Sequence, residues 1–204
     1  MKTKFILFIT IFFCMIFNLN LYSADNNINV KFVVVGDTVH EEGAHKDFVL
    51  WVNEDISVSL GSTVYDVFKK VMDKNGYTYT GEEQGYVESI TSPEGVKLAS
   101  FTNGSGSGWM YMVNGDTPMD GFKDYVIKDN DEILFYYIDD WKEEWGIYGD
   151  ADGNGLVEFN DTSIVLQYVL NGTEKIKLNF SDVNKDGVIT ALDAAIILMK
   201  ILNS

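Results

Sequence analysis

Six residues of the C-terminal third, Asp150, Asp152, Asn154, Gly155, Leu156 and Asp161, recur 32 residues later as Asp182, Asn184, Asp186, Gly187, Val188 and Asp193. Each set lies in a twelve-residue stretch with oxygen side chains at positions 1, 3, 5 and 12 and glycine at position 6, where the chain must turn sharply. The main-chain carbonyl of position 7, Leu156 or Val188, completes an oxygen cage. Such a cage suits calcium, a hard cation that takes six to eight oxygen ligands. Each loop offers three carboxylates and one asparagine amide, and without an ion those carboxylates repel one another at close range. Clusters of Asp, Asn and Gly are also ordinary turn sequences, a reading that two loops in one register leave little room.

An aliphatic segment follows each loop. The first carries Ile164, Val165, Leu166, Val169 and Leu170, and the second Ala194, Ala195, Ile197, Leu198, Ile201 and Leu202. Spacings of three and four predict two helices whose apolar stripes pack together. Neither loop is preceded by a clear helical pattern, and Asp161 and Asp193 stand where a sensor EF-hand has glutamate. Duplicated loop-helix units closed by aspartate resemble the type I dockerin family over residues 148 to 203. The resemblance implies two structural Ca2+ ions folding a module too small to rely on a hydrophobic core alone, and a cohesin module of a scaffold protein as partner. It further implies that positions 10 and 11, Phe159 with Asn160 and Ala191 with Leu192, help select the cohesin. The two pairs differ, so two-way symmetric docking is in question and the second repeat is expected to be the dominant face.

Upstream the composition is aromatic and strand-like. Runs at Lys31 to Val35, Phe48 to Val52 and Ile56 to Leu60 read as three strands. Thr63 to Asn75 reads as a helix, with Thr63 and Asp66 as a capping pair and Val64, Val67, Phe68, Val71 and Met72 on one apolar face. Further runs are Tyr86 to Ile90, Trp109 to Val113 and Ile133 to Ile138, with Asn114 and Gly115 as a tight turn. The expected fold is α+β: a small grasp-like β-sheet domain with one helix, followed by an all-α calcium-loop dockerin module.

The stretch Gly108 to Gly115, with Ser62 to Val67 before it and Asp129 to Tyr137 after it, resembles the transcobalamin-like C-terminal domain over about residues 45 to 138. That resemblance implies a fold, and a corrinoid as one candidate ligand beside a glycan. Two features are candidates for binding: a flexible Asn103 to Gly108 loop, and the aromatics Trp109 and Tyr111, which share one strand face that also reads as core. Trp141 and Trp145 sit in an acidic linker and are expected to pack the two modules together or onto the dockerin, ahead of forming an exposed glycan platform.

Lys2 and Lys4 precede an apolar run from Phe5 to Phe17 and small residues at Ser23 and Ala24, the layout of a cleaved secretory signal. The division read from the sequence is a signal peptide at 1–24, a grasp-like domain at 28–140, a linker at 141–147 and a dockerin at 148–204. The one cysteine, Cys14, lies in the signal, so the mature chain is expected to have no disulfide and no membrane span. A net charge of −16 repels phosphate backbones, which argues against nucleic acid and for divalent cations.

His40 and His45 are five apart with Gly43 between them, so they do not form the four-apart helical zinc pair of a metalloprotease. No motif singles out a carboxylate pair for glycoside hydrolysis. The expectation is an extracellular, scaffold- or surface-associated, non-catalytic component of a cellulosome-type assembly from a Gram-positive bacterium. A small carbohydrate-active subunit and a surface adhesion module are the rival classes.

Overall fold

The computed structural model describes residues 26–37, 48–172 and 175–204. The signal segment and the His40 to His45 stretch lie outside the described residues. At the centre are β1 (Asn27–Asp37) and β7 (Glu132–Ile138), paired in parallel. Outside them lie β2 (Phe48–Ser59) and β6 (Gly108–Val113), each antiparallel to its neighbour, giving the order β2-β1-β7-β6. Phe48 to Val52 and Ile56 to Leu60, expected as two strands, are one. β2 runs through both, with the register slipping between Val34 and Val35, opposite Trp51. The extra residue turns the Trp51 indole over Gly36, where a Cβ would overlap the ring, and brings it 5.5 Å from the Trp109 ring.

Side chains alternate across the sheet. Phe32 and Val34 of β1, Trp109 and Val113 of β6, and Phe135 and Tyr137 of β7 face one side. Val33, Val35, Met112, Leu134, Tyr136 and Ile138 face the other. The first side is covered by α1 (Val64–Lys74), whose Val64, Val67, Phe68, Val71 and Met72 are all fully buried. Thr63 and Asp66 cap it reciprocally: the Asp66 amide donates to the Thr63 hydroxyl (3.3 Å) and the Thr63 amide to the Asp66 carboxylate (2.8 Å). Phe68 is the hub of this core, 4.8 Å from the Phe135 ring and 5.0 Å from Tyr79.

A second, three-stranded sheet joins β3 (Thr78–Thr80), β4 (Ser89–Thr91) and β5 (Lys97–Ala99). The sequence offered only the β4 region as an apolar run, because β3 and β5 are too short for a period to show. Asn114 and Gly115 make the expected tight turn, both with positive φ (53° and 74°), closed by mutual Val113 and Asp116 main-chain bonds.

The C-terminal module consists of α2 (Phe159–Asn171), a single turn α3 (Leu178–Ser181) and α4 (Ala191–Asn203). Its core is small: Ala151, Val165, Ala194 and Ile197, with Val157, Ile164 and Ile201 packed around them. Leu170 (79% exposed) and Leu202 (68%), expected to pack between the helices, point to solvent instead, as does Met199 (61%). No helix among the described residues is long and apolar enough to cross a membrane.

Phe68→Ala should lower unfolding free energy by about 3–5 kcal/mol, because it opens a cavity between helix and sheet. Thr63→Ala should cost only about 1 kcal/mol, the worth of a cap. Denaturant titration of the two variants checks the order.

Candidate metal centre

The two repeats fold their loops by one scheme. Asp150 accepts main-chain hydrogen bonds from Gly153 (2.9 Å), Asn154 (3.0 Å) and Gly155 (2.9 Å). Its counterpart Asp182 accepts from Asp186 (3.2 Å) and Gly187 (2.9 Å). The position 5 side chains of Asn154 and Asp186 each accept from the amide two residues on, Leu156 or Val188, both at 2.9 Å. At position 6 Gly155 and Gly187 have φ of 86° and 87°, a conformation that side chains rarely adopt.

The closing aspartate ties each loop to its helix. One oxygen of Asp161 accepts from the Ala151 amide (2.8 Å), the other from Glu158 (2.7 Å) at the start of α2. Asp193 does the same for Val183 (3.1 Å) and Thr190 (2.9 Å) ahead of α4. Aspartate at position 12 thus serves as the third residue of a capping box.

Surroundings separate the loops. In the first, Asp150, Asn154 and Asp161 are buried, and Asp150, Asp152 and Asp161 bring carboxylate oxygens within 4.8 Å of one another. In the second, Asp193 is buried, Asp182 and Asn184 are half-buried and Asp186 is exposed. The Asn184 amide there donates to Asp186 (2.9 Å).

Burial, and then the neighbouring Asp161 charge, pushes the Asp150 carboxyl up to about 8. Burial, and then Asp152, pushes Asp161 up to about 7. Converging buried carboxylates of this kind fit a hard divalent cation, which supplies the charge that protons otherwise provide.

The first loop is also fastened to the sheet. Trp145 stacks on Tyr136 at 4.3 Å, and Ile147 and Leu156 pack on the same outer sheet face, so the segment expected as a linker is part of a shared core. Lys31 pairs with Glu158 at 3.4 Å, and Lys175 pairs with Asp116. Trp141, by contrast, is 62% exposed.

The position 10 and 11 residues are solvent-facing in both repeats: Phe159, Asn160, Ala191 and Leu192 are all exposed. Leu166 and Val169, expected to pack between the two helices, are instead exposed beside Leu170 on α2. The available signal was an apolar stripe wider than one partner helix can cover.

In the N-terminal module Trp109 is buried, its indole N–H donating to the Leu98 carbonyl at 3.0 Å. Tyr111 is half-buried, with its hydroxyl donating to the Asp120 carbonyl and pushed up to about 12 by burial. Both border a pocket of about 200 Å³ with Tyr86, Pro118, Phe122 and Phe135. The Asn103 to Gly108 loop, expected to be flexible, is pinned. Ser107 Oγ accepts from the Asn103 amide (3.0 Å), and the Gly106 carbonyl accepts from Trp141 (3.0 Å).

Residues 148–202 match the family described as dockerin type I domain, and residues 61–139 match one described as a domain of unknown function, DUF4430. Both matches lie where the two resemblances were read from the sequence, a dockerin-type segment following the sheet module. A crystal structure of haptocorrin in complex with Cbi is similar at 19% identity and a TM-score of 0.40, over 57% of this chain and 26% of that one. The chain therefore spans about a quarter of that protein's length. Type I dockerin domains bind calcium and have a cohesin as partner.

The raised Asp150 and Asp161 values have a consequence in chelator. The folded state there holds protons that the unfolded state releases above about pH 4, so the contribution of these two groups to stability is fully present below about pH 4 and is lost as pH rises toward 8. Thermal melts of the chelated protein at about pH 5 and pH 8 should show the lower Tm at pH 8. Saturating calcium, which binds only the carboxylate form, should reverse the order.

Proposed function

We propose that this protein is an exported, non-catalytic component of a cellulosome-type assembly, attached through a calcium-folded dockerin and displaying a small grasp-like binding module. One ion is held by Asp150, Asp152, Asn154, the Leu156 carbonyl and Asp161. A second is held by Asp182, Asn184, Asp186, the Val188 carbonyl and Asp193. The observation that carries this reading is the shared hydrogen-bonding scheme of the two loops, in which cage residues meet the main chain in the same way 32 residues apart. Calcium here is structural: it offsets the repulsion of converging carboxylates and links each loop to the helix it starts.

The cohesin contact is assigned to Phe159, Asn160, Ala191 and Leu192, together with the aliphatic side chains that α2 and α4 leave uncovered. A small module rarely exposes Leu170, Leu192 and Leu202 without a partner to cover them. The apolar N-terminal segment supports export, and the acidic surface suits an extracellular setting with ample calcium.

The aromatic pocket beside Trp109 and Tyr111 gives the N-terminal module its ligand site. At about 200 Å³ it is below the usual range for whole small-molecule ligands. A corrinoid would rest across its mouth on Tyr86, and a glycan would insert a single ring.

Asp150→Ala combined with Asp182→Ala should abolish both the calcium-induced gain in helical circular dichroism and capture on an immobilised type I cohesin. Capture of the double variant in chelator would refute metal-dependent docking. Leu192→Asp should weaken capture by roughly tenfold or more while leaving the calcium-induced folding signal intact.

A further inference from the structure

Position 7 of the two loops has the same backbone task and opposite surroundings. The Leu156 side chain packs on the outer sheet face, whereas Val188 is 60% exposed. Position 6 shows the same contrast. A Cβ on Gly155 would come within 2.6 Å of Leu134, and nothing lies within 4 Å of the equivalent point on Gly187. The Asn114 to Gly115 turn of the sheet module lies against the Asp152 carbonyl, and Lys31 of β1 holds Glu158 at the start of α2. Among the described residues none of these contacts has a counterpart in the second repeat, so the loops are alike in sequence and unlike in support.

We infer that the grasp-like module is a built-in scaffold for the first calcium site. The outer face of the sheet holds that loop in its binding geometry, and the ion in turn fastens the two modules into one body. A loop already ordered by packing loses less conformational entropy when it closes on an ion. By linkage, whatever favours the packed loop favours the bound ion, and the reverse holds equally. The second loop, outside this contact, binds calcium on its own resources and remains free to adjust when a partner docks. Leu156 is thus a positioning residue for the first site through its side chain, separately from its carbonyl. This inference rests on the calcium reading above.

Calorimetric titration of the full-length protein with calcium tests it, with the first site identified by its loss in Asp150→Ala and the second by its loss in Asp182→Ala. Leu156→Asn keeps the position 7 carbonyl and should weaken the first site about tenfold, roughly the worth of losing a partly buried leucine contact, without changing the second. Val188→Asn, the matched substitution, should leave both within about twofold. Equal shifts in the two variants, or none in Leu156→Asn, would overturn the scaffold role. Absence of any calcium heat in the unmutated protein would instead overturn the calcium reading.

A second readout uses Trp145, which stacks on Tyr136 at the junction of the two modules. The part of the calcium-induced fluorescence change that Trp145→Phe removes should persist in Asp182→Ala and vanish in Asp150→Ala. A Trp145 signal that follows the second loop also overturns the inference.

Discussion

The parallel pairing of β1 with β7 places two strands with apolar side chains on both faces in the middle of a four-stranded sheet. Such a pair cannot leave either face to water, so the sheet needs two covers. One is α1, which meets Phe32 and Phe135 through Phe68. The other comes from further along the chain: Trp145, Ile147 and Leu156 close over Leu134 and Tyr136. The position of the C-terminal module follows from that requirement, because its first loop supplies part of the second cover.

One stretch of backbone therefore meets two demands. Gly155 makes the sharp turn of the calcium loop and also lets the loop approach Leu134. Leu156 offers a side chain to the sheet and, in the proposed calcium site, a carbonyl to the cage. Burial raises the electrostatic stakes at this loop. Asp150 and Asp161 are shielded from water, held well above the ordinary carboxylate range, and surrounded by main-chain donors too few to offset three converging charges. The second loop repeats the bonding scheme where solvent screens Asp186 and, among the described residues, no strand packs on it.

Away from the sheet, α2 and α4 share a small core of Val165, Ala194 and Ile197 and leave Leu166, Val169, Leu170, Met199 and Leu202 exposed. A pair of helices this short can bury only one narrow stripe on each other. The remaining aliphatic surface is open to solvent, which supports the docking role proposed for this module.

Several features were legible in residues alone because they depend on local spacing. The two loops are set by oxygen side chains and glycine at defined offsets, α1 by its capping pair and its apolar period, and the β6 turn by Asn114 and Gly115. β3 and β5 were not legible, being three residues each. The continuity of β2 was also hidden, because the bulge at Trp51 interrupts the alternation that marks a strand. The inequality of the two loops was invisible for a deeper reason: Leu156 and Val188 are equivalent in their repeats, and no local rule distinguishes them. Sequence by itself determined that there are two repeated twelve-residue loops, two helices to follow them and a helix-backed sheet, since each is a matter of neighbours along the chain. Only the tertiary structure decided which loop is covered, because that depends on Leu134 and Tyr136, side chains brought to Leu156 by the pairing of β1 with β7.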